Sequence, residues 1–278
     1  MKSQIKKIVL TFIRIFSRNK LGRFIENSLI GEAMSKVTSV THNGCLLHFT
    51  TPNPLTRWRA ETFSSKEPET LEWIDGMTEG QVLWDIGANI GLYSIYAAKH
   101  NRLRVYGFEP SVFNLELLGR NCTLNDVANL VTIIPLALCD SSGVNMMHHS
   151  TTEWGGALSG FGVDFDAVGK KIDRQIKYST LGMRADDLVE KHGLPKPDHI
   201  KIDVDGIEHF ILAGAQNILK TAQSVLVEIN DEFTEQAVTS SSILTSSGFV
   251  LQNRNVSVFT IPSENGSISN QVWIKTKT

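Results

Sequence analysis

The chain has little cysteine, no long apolar run, almost no net charge and no complete dinucleotide fingerprint. Its three cysteines, Cys45, Cys122 and Cys139, are an odd count without metal-ligand spacing, so they fit reduced packing thiols of a cytoplasmic protein better than a disulfide framework. A formal net charge of −2 gives no whole-protein attraction for nucleic acid, and no surface of interleaved basic and aromatic residues is evident. The most apolar stretch, near the N-terminus, is broken by Thr11 and Arg14, too short to span a bilayer, and no small-residue cleavage site follows to make it a secretory signal. What remains is ordinary for one large α/β domain with appendages: 278 residues, 41% hydrophobic and 20% charged.

One stretch carries most of the functional information. The apolar run Val82 to Trp84 empties into Asp85-Ile86-Gly87-Ala88-Asn89-Ile90-Gly91, a pattern that predicts a strand, a tight turn and a helix from Leu92 to Lys99. Gly87 and Gly91 are expected to let backbone N–H groups approach a ligand with no side chain between. A second strand, Arg104 to Phe108, ends in Glu109, where a carboxylate can accept both hydroxyls of a ribose, as in a nucleotide-binding βαβ unit. A pyrophosphate site would spell Gly-x-Gly-x-x-Gly. Here the middle glycine is missing, and Asp85 would repel a phosphate while accepting hydrogen bonds from an ammonium. The cofactor expected on these grounds is S-adenosylmethionine, with Asp85, Gly87, Ala88, Asn89 and Gly91 along its methionine end and Glu109 and Pro110 at its ribose. An NAD-linked oxidoreductase is the competing enzyme reading, without its full fingerprint.

Downstream, Ser111 caps an expected helix with Val112, Leu115, Leu118 and Cys122 on one face, and Val131 to Leu138 reads as a third strand, whose end at Ala137 would flank an adenine. Residues 140–175 are rich in glycine and less regular, the character of a lid that selects an acceptor, with Trp154 and Phe161 available to stack on it. His148 and His149 would face opposite ways on a strand, which disfavours joint metal binding; both read as surface residues.

The second chemical constellation is Ile200-Lys201-Ile202-Asp203-Val204-Asp205-Gly206-Ile207-Glu208. Alternation sends Ile200 and Ile202 to one face and Lys201 and Asp203 to the other, so another strand delivers a carboxylate to the sheet edge where open α/β folds bind ligands. Asp203 is the first choice for an acceptor-side base or orienter, and Asp205 the second. Glu208 reads as a helix N-terminal acid favoured by the dipole and His209 as a solvated residue of a helix running to Leu219. Strand Ser224 to Ile229 then brings Glu228, with Asn230 at its end. A metal variant would use Asp203, Asp205, Glu228 and Asn230 as hard oxygen ligands for Mg²⁺.

The flanks are simpler. Seven cations precede the first acid, Glu26, while Ile5, Ile8, Val9, Phe12, Ile13 and Phe16 recur at helical spacing, giving a basic amphipathic helix. It can dock on the enzyme body or a second copy, or make peripheral contact with an anionic inner membrane surface through residues 2–25; a non-catalytic membrane-associated module would rest on this segment alone. Gly44 to Thr51 predicts a strand, and Pro68 opens a helix to about Ile74; Thr62, Ser64, Lys66 and Glu67 precede the turn closely enough to reach the mouth of the site. Late strands are expected at Phe249 to Leu251, Val256 to Ile261 and Gln271 to Ile274, with a turn at Asn253-Arg254-Asn255.

Taken together, WDIGANIGLYS at 84–94, YGFEPS at 106–111, the spacing of Asn121 and Asn125, and IKIDVDGIEHFILAGA at 200–215 resemble the FkbM-type family of S-adenosylmethionine-dependent methyltransferases. The resemblance extends over about residues 80–230. The family's second motif looks like Lys-Ile-Asp-Val-Glu-Gly-x-Glu, so Asp205 here is shorter by a methylene, and Tyr178 to Met183 followed by Arg184-Ala185-Asp186-Asp187-Leu188 is similar to its Thr-Leu-Asp-x-Leu segment. The resemblance implies a class I, Rossmann-like α/β fold with a mostly parallel sheet between helices and a final antiparallel strand pair. It also implies methylation of a hydroxyl on a sugar, glycan or small metabolite. The expected organisation is a basic helix at 1–30, a strand-and-helix lead-in at 31–79, and a methyltransferase domain at 80–278 with its glycine-containing loop at 140–175.

Overall fold

A computed structural model of the chain describes residues 2–166, 168–171, 174, 176–256 and 268–276. Two helices come first, α1 (Lys2–Phe16) and α2 (Lys20–Ser35), then an antiparallel hairpin of β1 (Val37–His42) and β2 (Cys45–Thr50). Three short helices follow, α3 (Pro54–Glu61), α4 (Phe63–Lys66) and α5 (Pro68–Asp75). The first is set by a capping box, in which Asn53 accepts from the Thr56 N–H and Pro54 occupies the first turn.

The central elements are β3 (Val82–Ile86), α6 (Leu92–His100), β4 (Arg104–Phe108), α7 (Val112–Leu124) and β5 (Val131–Ile134). A small segment holds β6 (Ala137–Leu138), β7 (Gly143–His149), β8 (Gly160–Phe161) and β9 (Ile176–Met183). The chain then returns through α8 (Ala185–His192), β10 (His199–Ile202), α9 (Glu208–Ala213), α10 (Gln216–Leu219), β11 (Ser224–Asn230), α11 (Thr234–Ser246), β12 (Phe249–Val256) and β13 (Ile268–Lys275).

Seven strands form the main sheet in the order β12-β13-β11-β10-β3-β4-β5; the run from β11 to β5 is parallel and β12 and β13 are antiparallel. This is the doubly wound architecture that the sequence implies, with the strand order reversing between the parallel neighbours β3 and β10, where ligand crevices open in such sheets. Strand alternation divides the core. Val82, Trp84 and Ile86 of β3 face the layer built with α8 to α11, whereas Leu83 faces the layer of α6, α7 and the β1–β2 hairpin.

Several expected elements differ in extent. The strand expected over Val131 to Leu138 stops at Ile134, because Pro135 cannot donate to a ladder, and Ala137–Leu138 joins a second, four-stranded sheet ordered β6-β9-β7-β8. Part of the supposedly irregular 140–175 segment is therefore strand: β7 pairs with β9 from Gly143 to His149. The helix expected from Glu208 to Leu219 is two, since the Asp186 carboxylate accepts from the N–H groups of Asn217 and Ile218 and starts α10 afresh. Asn253, Arg254 and Asn255 lie within β12, where a register shift after Leu251 absorbs them; of the strand expected at Val256 to Ile261, residues 257–261 lie outside the described ones.

Two asparagines clip the hairpin onto the sheet. The buried Asn121 accepts from Thr50 N–H at 2.8 Å and donates to the Ile90 carbonyl at 2.9 Å, joining α7, β2 and the turn after β3. Asn125 accepts from His48 N–H at 2.9 Å and donates to its carbonyl at 2.6 Å. Replacing Asn121 with alanine strands a buried N–H and a buried carbonyl, so Asn121→Ala is expected to cost about 2–4 kcal/mol in urea unfolding; a loss under about 0.5 kcal/mol would contradict this assignment.

Candidate functional site

At the C-terminal ends of β3, β4 and β10 lies a cleft, at the sheet edge where open α/β folds bind ligands. Phe108, Pro110, Ala137, Leu138, Met147 and Phe161 line its apolar side, and Asn89, Glu109, Asn114, Asp203 and Asp205 its polar side. Glu109 is 5% exposed; one carboxylate oxygen accepts from Asn89 N–H and the other from Ser111 N–H, each at 2.8 Å. Burial outweighs these bonds and pushes its pKa up to about 7.

The turn after β3 is held differently from the expectation that its N–H groups face a ligand. Gly87 and Ala88 both donate to the Phe108 carbonyl, at 2.9 and 3.0 Å. Gly87 is required for another reason: its φ is +86°, and a Cβ there would overlap the Asp203 carbonyl oxygen. The two motif loops thus touch backbone to backbone, reinforced by Asp203 N–H donating to the Ile86 carbonyl at 3.1 Å. Gly91 (φ +89°) opens α6 and lies against Leu118 and Ile95 rather than on the cleft.

Behind the turn is a second hollow, which shares Gly87, Asn89 and Asp203 with the first and is completed by Ala88, Arg59, Lys66, Glu67, Tyr93 and Lys201. Lys66 pairs with Glu67, and Lys201 with Asp203 at 2.8 Å. Lys201 is buried, yet Asp203, Asp85 and Glu67 together overcome the desolvation and raise its pKa. The reciprocal effect, with Lys66 adding to Lys201, holds Asp203 below the usual carboxylate range in spite of desolvation. Asp205, by contrast, is pushed up by desolvation and then by the neighbouring Asp203 charge, while Leu158 N–H donates to it at 2.6 Å.

A strap over residues 154–158 borders the first cleft through Gly156 and Ala157. Asn53 donates to the Trp154 carbonyl (3.0 Å), Arg59 to that of Gly155 (2.7 Å), and Asn89 and Asn114 to that of Gly156 (3.0 and 3.1 Å). Phe161 reaches the cleft wall, whereas the Trp154 indole is tied to Glu116 at 3.2 Å. Of the residues expected near the mouth, Lys66 and Glu67 line the second hollow; Thr62 bonds the Trp58 carbonyl and Ser64 meets His42.

Other expected residues are placed as follows. Asp85 is 1% exposed and lines neither hollow; Ser94 donates to one oxygen at 2.5 Å and the other has no partner. Lys201 stands beside it in register on β10. The Mg²⁺ alternative is not assembled: among the described residues no three His, Cys, Asp or Glu side chains gather to hold a metal. Asp203 is engaged by Lys201, and Asn230 accepts from Glu232 N–H. Burial, followed by the charges of Asp203 and Asp205, raises the Glu228 pKa well above its ordinary value.

Two histidines expected at the surface are buried, and so is Glu208. His149 is 2% exposed, bonded to Ser159 and stacked on Tyr178 at 5.1 Å, and burial and then Arg174 lower its pKa to about 4. His209 is also 2% exposed, because α11 is preceded by Phe233, whose ring covers it. Glu208 does more than favour a helix dipole: it accepts from the N–H groups of Val204 and Gly206 and from Gln236, so it braces the loop carrying Asp203 and Asp205, and burial raises its pKa to about 7.

Sequence reasoning missed Arg59, Asn114, Tyr93 and the wall role of Lys201, which have no local signature. It also missed the strap's anchors, although Asn53 before Pro54 was a visible cap signal.

Residues 85–253 match the Methyltransferase FkbM domain family. The chain is 28% identical over 190 residues to the hexuronic acid methyltransferase AglP of Haloferax volcanii, covering 68% of this chain and 72% of that protein. It is 25% identical over 174 residues to the 31-O-demethyl-FK506 methyltransferase FkbM of Streptomyces tacrolimicus, covering 55% of this chain and 66% of that protein. Among solved structures, the precorrin-6y C5,15-methyltransferase of Geobacter metallireducens GS-15 aligns with a TM-score of 0.46 and 14% identity over 78% of this chain and 93% of that one. With the strand order, the loop contact at Gly87 and a family match over more than half its length, the chain belongs to the FkbM family of methyltransferases.

Proposed function

We propose that the chain transfers a methyl group from S-adenosylmethionine to a hydroxyl of a sugar, glycan or small metabolite. The observation that carries this reading is Glu109, a buried carboxylate at the end of β4, beside an apolar slot and still holding lone pairs to accept two hydroxyls. The residues fit the cofactor in three parts. Phe108, Pro110 and Ala137 flank the adenine, Glu109 takes the ribose, and Asn89 and the turn at Gly87 and Ala88 run along the methionine end. Asp85 is buried and lines neither hollow, so the ammonium contact expected of it is not part of this assignment. Membership of a methyltransferase family argues against the NAD-linked alternative.

The sulfonium supplies an activated methyl group, and the protein's task is to align an acceptor oxygen and take its proton. Asp203 and Asp205 divide this work. Asp203 is held ionised by Lys201 and Lys66, which makes it a weak base and a good hydrogen-bond acceptor that orients the hydroxyl. Asp205, with its raised pKa, is the stronger base. The acceptor is assigned to the loop carrying these two carboxylates, which both line the first cleft and of which Asp203 also lines the second hollow, and a relative named for a hexuronic acid supports a sugar there.

Calorimetry tests the cofactor assignment. Ribose hydroxyls donate to the ionised carboxylate, so S-adenosylmethionine binding at pH 6.5 is expected to release a proton from Glu109, and affinity to rise with pH and level off above about 7. The unliganded protein has the opposite dependence: raised pKa values at Glu109 and Glu208 make its stability fall as pH rises from the ordinary glutamate value of 4.5 through about 7. Glu109→Gln is expected to weaken binding by about 10- to 100-fold and abolish the proton release. Unchanged affinity in this variant, or heat with NAD and none with S-adenosylmethionine, overturns the assignment.

The acceptor side is read by mass spectrometry of glycans and metabolites from cells with and without the protein. A species heavier by about one methylene unit is expected and should be lost with Asp205→Asn, whose cofactor affinity stays normal. Full product with Asp205→Asn removes the base from Asp205.

A further inference from the structure

The two N-terminal helices take no part in the core. From Gln4 to Ile15 every residue of α1 is exposed, and Ile5, Ile8, Val9, Phe12 and Ile13 are 40–70% exposed along one stripe. Leu21, Phe24 and Ile25 continue an apolar stripe on α2, again open to solvent. Helices of 15 and 16 residues without packing are marginal in water, and their stability in proteins comes from burying an apolar face. A further surface is therefore required to cover these stripes.

Charge decides which surface. Residues 2–25 contain seven cations and no acid. Lys7 and Arg14 lie two turns apart on the side of α1 opposite the stripe, and Lys6 flanks it. A second copy seated on the stripe would set one wholly basic segment on another, with no acid in residues 2–25 to offset the Lys6 that flanks the seam, whereas anionic headgroups satisfy a basic segment while the acyl boundary covers its apolar side. Crossing the bilayer is excluded for these helices: no described helix is long and apolar enough to do so.

We propose that the stripe formed by Ile5, Ile8, Val9, Phe12 and Ile13, continued by Leu21, Phe24 and Ile25, is a docking surface for an anionic lipid membrane. The helices lie in the plane of the interface and hold the enzyme beside it, independently of what the enzyme methylates.

The test is co-sedimentation of the full chain with vesicles of phosphatidylcholine alone or mixed with phosphatidylglycerol. The wild type is expected to pellet with the mixed vesicles, much less with phosphatidylcholine, and less at high salt. Ile8→Asp combined with Phe12→Asp is expected to remain in the supernatant. Lys6→Gln, Lys7→Gln and Arg14→Gln together should weaken binding by about a hundredfold. Thermal unfolding of both variants should match the wild type, since the helices contribute nothing to the core. The proposal is overturned if the wild type fails to pellet with phosphatidylglycerol vesicles, or if the doubly acidic variant pellets as well as it does. It is also overturned if sedimentation velocity finds a dimer that the doubly acidic variant dissolves while no vesicle binding occurs, because the stripe then belongs to a second copy. Cofactor calorimetry is blind to all these outcomes, so failure here leaves the catalytic reading intact.

Discussion

The site depends on the approach of two backbones at Gly87. Strands β3 and β10 lie side by side in register, and the loops leaving them meet where the Asp203 carbonyl fills the space a Cβ would occupy. With any side chain at 87 one loop must move, and with it either Asn89, which organises Glu109, or Asp203, which faces the second hollow. The sheet reversal supplies a crevice in any doubly wound fold. This contact gives the crevice here two compartments that share Gly87, Asn89 and Asp203.

Charge on one face of the sheet reinforces the same arrangement. Asp85, Lys201 and Asp203 follow one another across β3 and β10, and Lys66 and Glu67 approach from α4 and the start of α5. A buried lysine amid carboxylates stays charged only because they are there, and removing any partner leaves an uncompensated charge in a low-dielectric setting. Its effect on chemistry is a division of labour. Asp203, beside two cations, stays ionised and weakly basic, and Asp205, desolvated and then affected by the neighbouring Asp203 charge, is pushed toward proton affinity. Two carboxylates two residues apart therefore differ in character through their neighbours, not their spacing.

The parts of the site legible in the sequence are those that one strand and its following turn define. Asp85 to Gly91, Glu109 and the Lys201 to Glu208 run each combine strand alternation with a turn, and their convergence follows from the parallel sheet. Arg59 and Lys66 escape that reading because they reach the site from short helices ahead of β3; the Arg59 bond to Gly155 spans 96 residues. The burial of His209 depends on Phe233 closing over it, and that of His149 on Tyr178 and Phe113, contacts no local periodicity encodes. Pro135 is the opposite case. It was a visible signal that the strand could not continue, and with it the handover of Ala137 and Leu138 to the second sheet. Polar sequence likewise hid β7, whose Gly-Val-Asn-Met-Met-His-His run has no clean alternation.

A crystal structure with S-adenosylhomocysteine bound tests the central claim most directly. The account predicts both ribose hydroxyls within hydrogen-bonding distance of the Glu109 carboxylate, the adenine between Pro110 and Ala137, and the sulfur directed toward Asp203. A nucleoside lodged instead among Arg59, Tyr93 and Lys201, or away from Glu109 altogether, would contradict it.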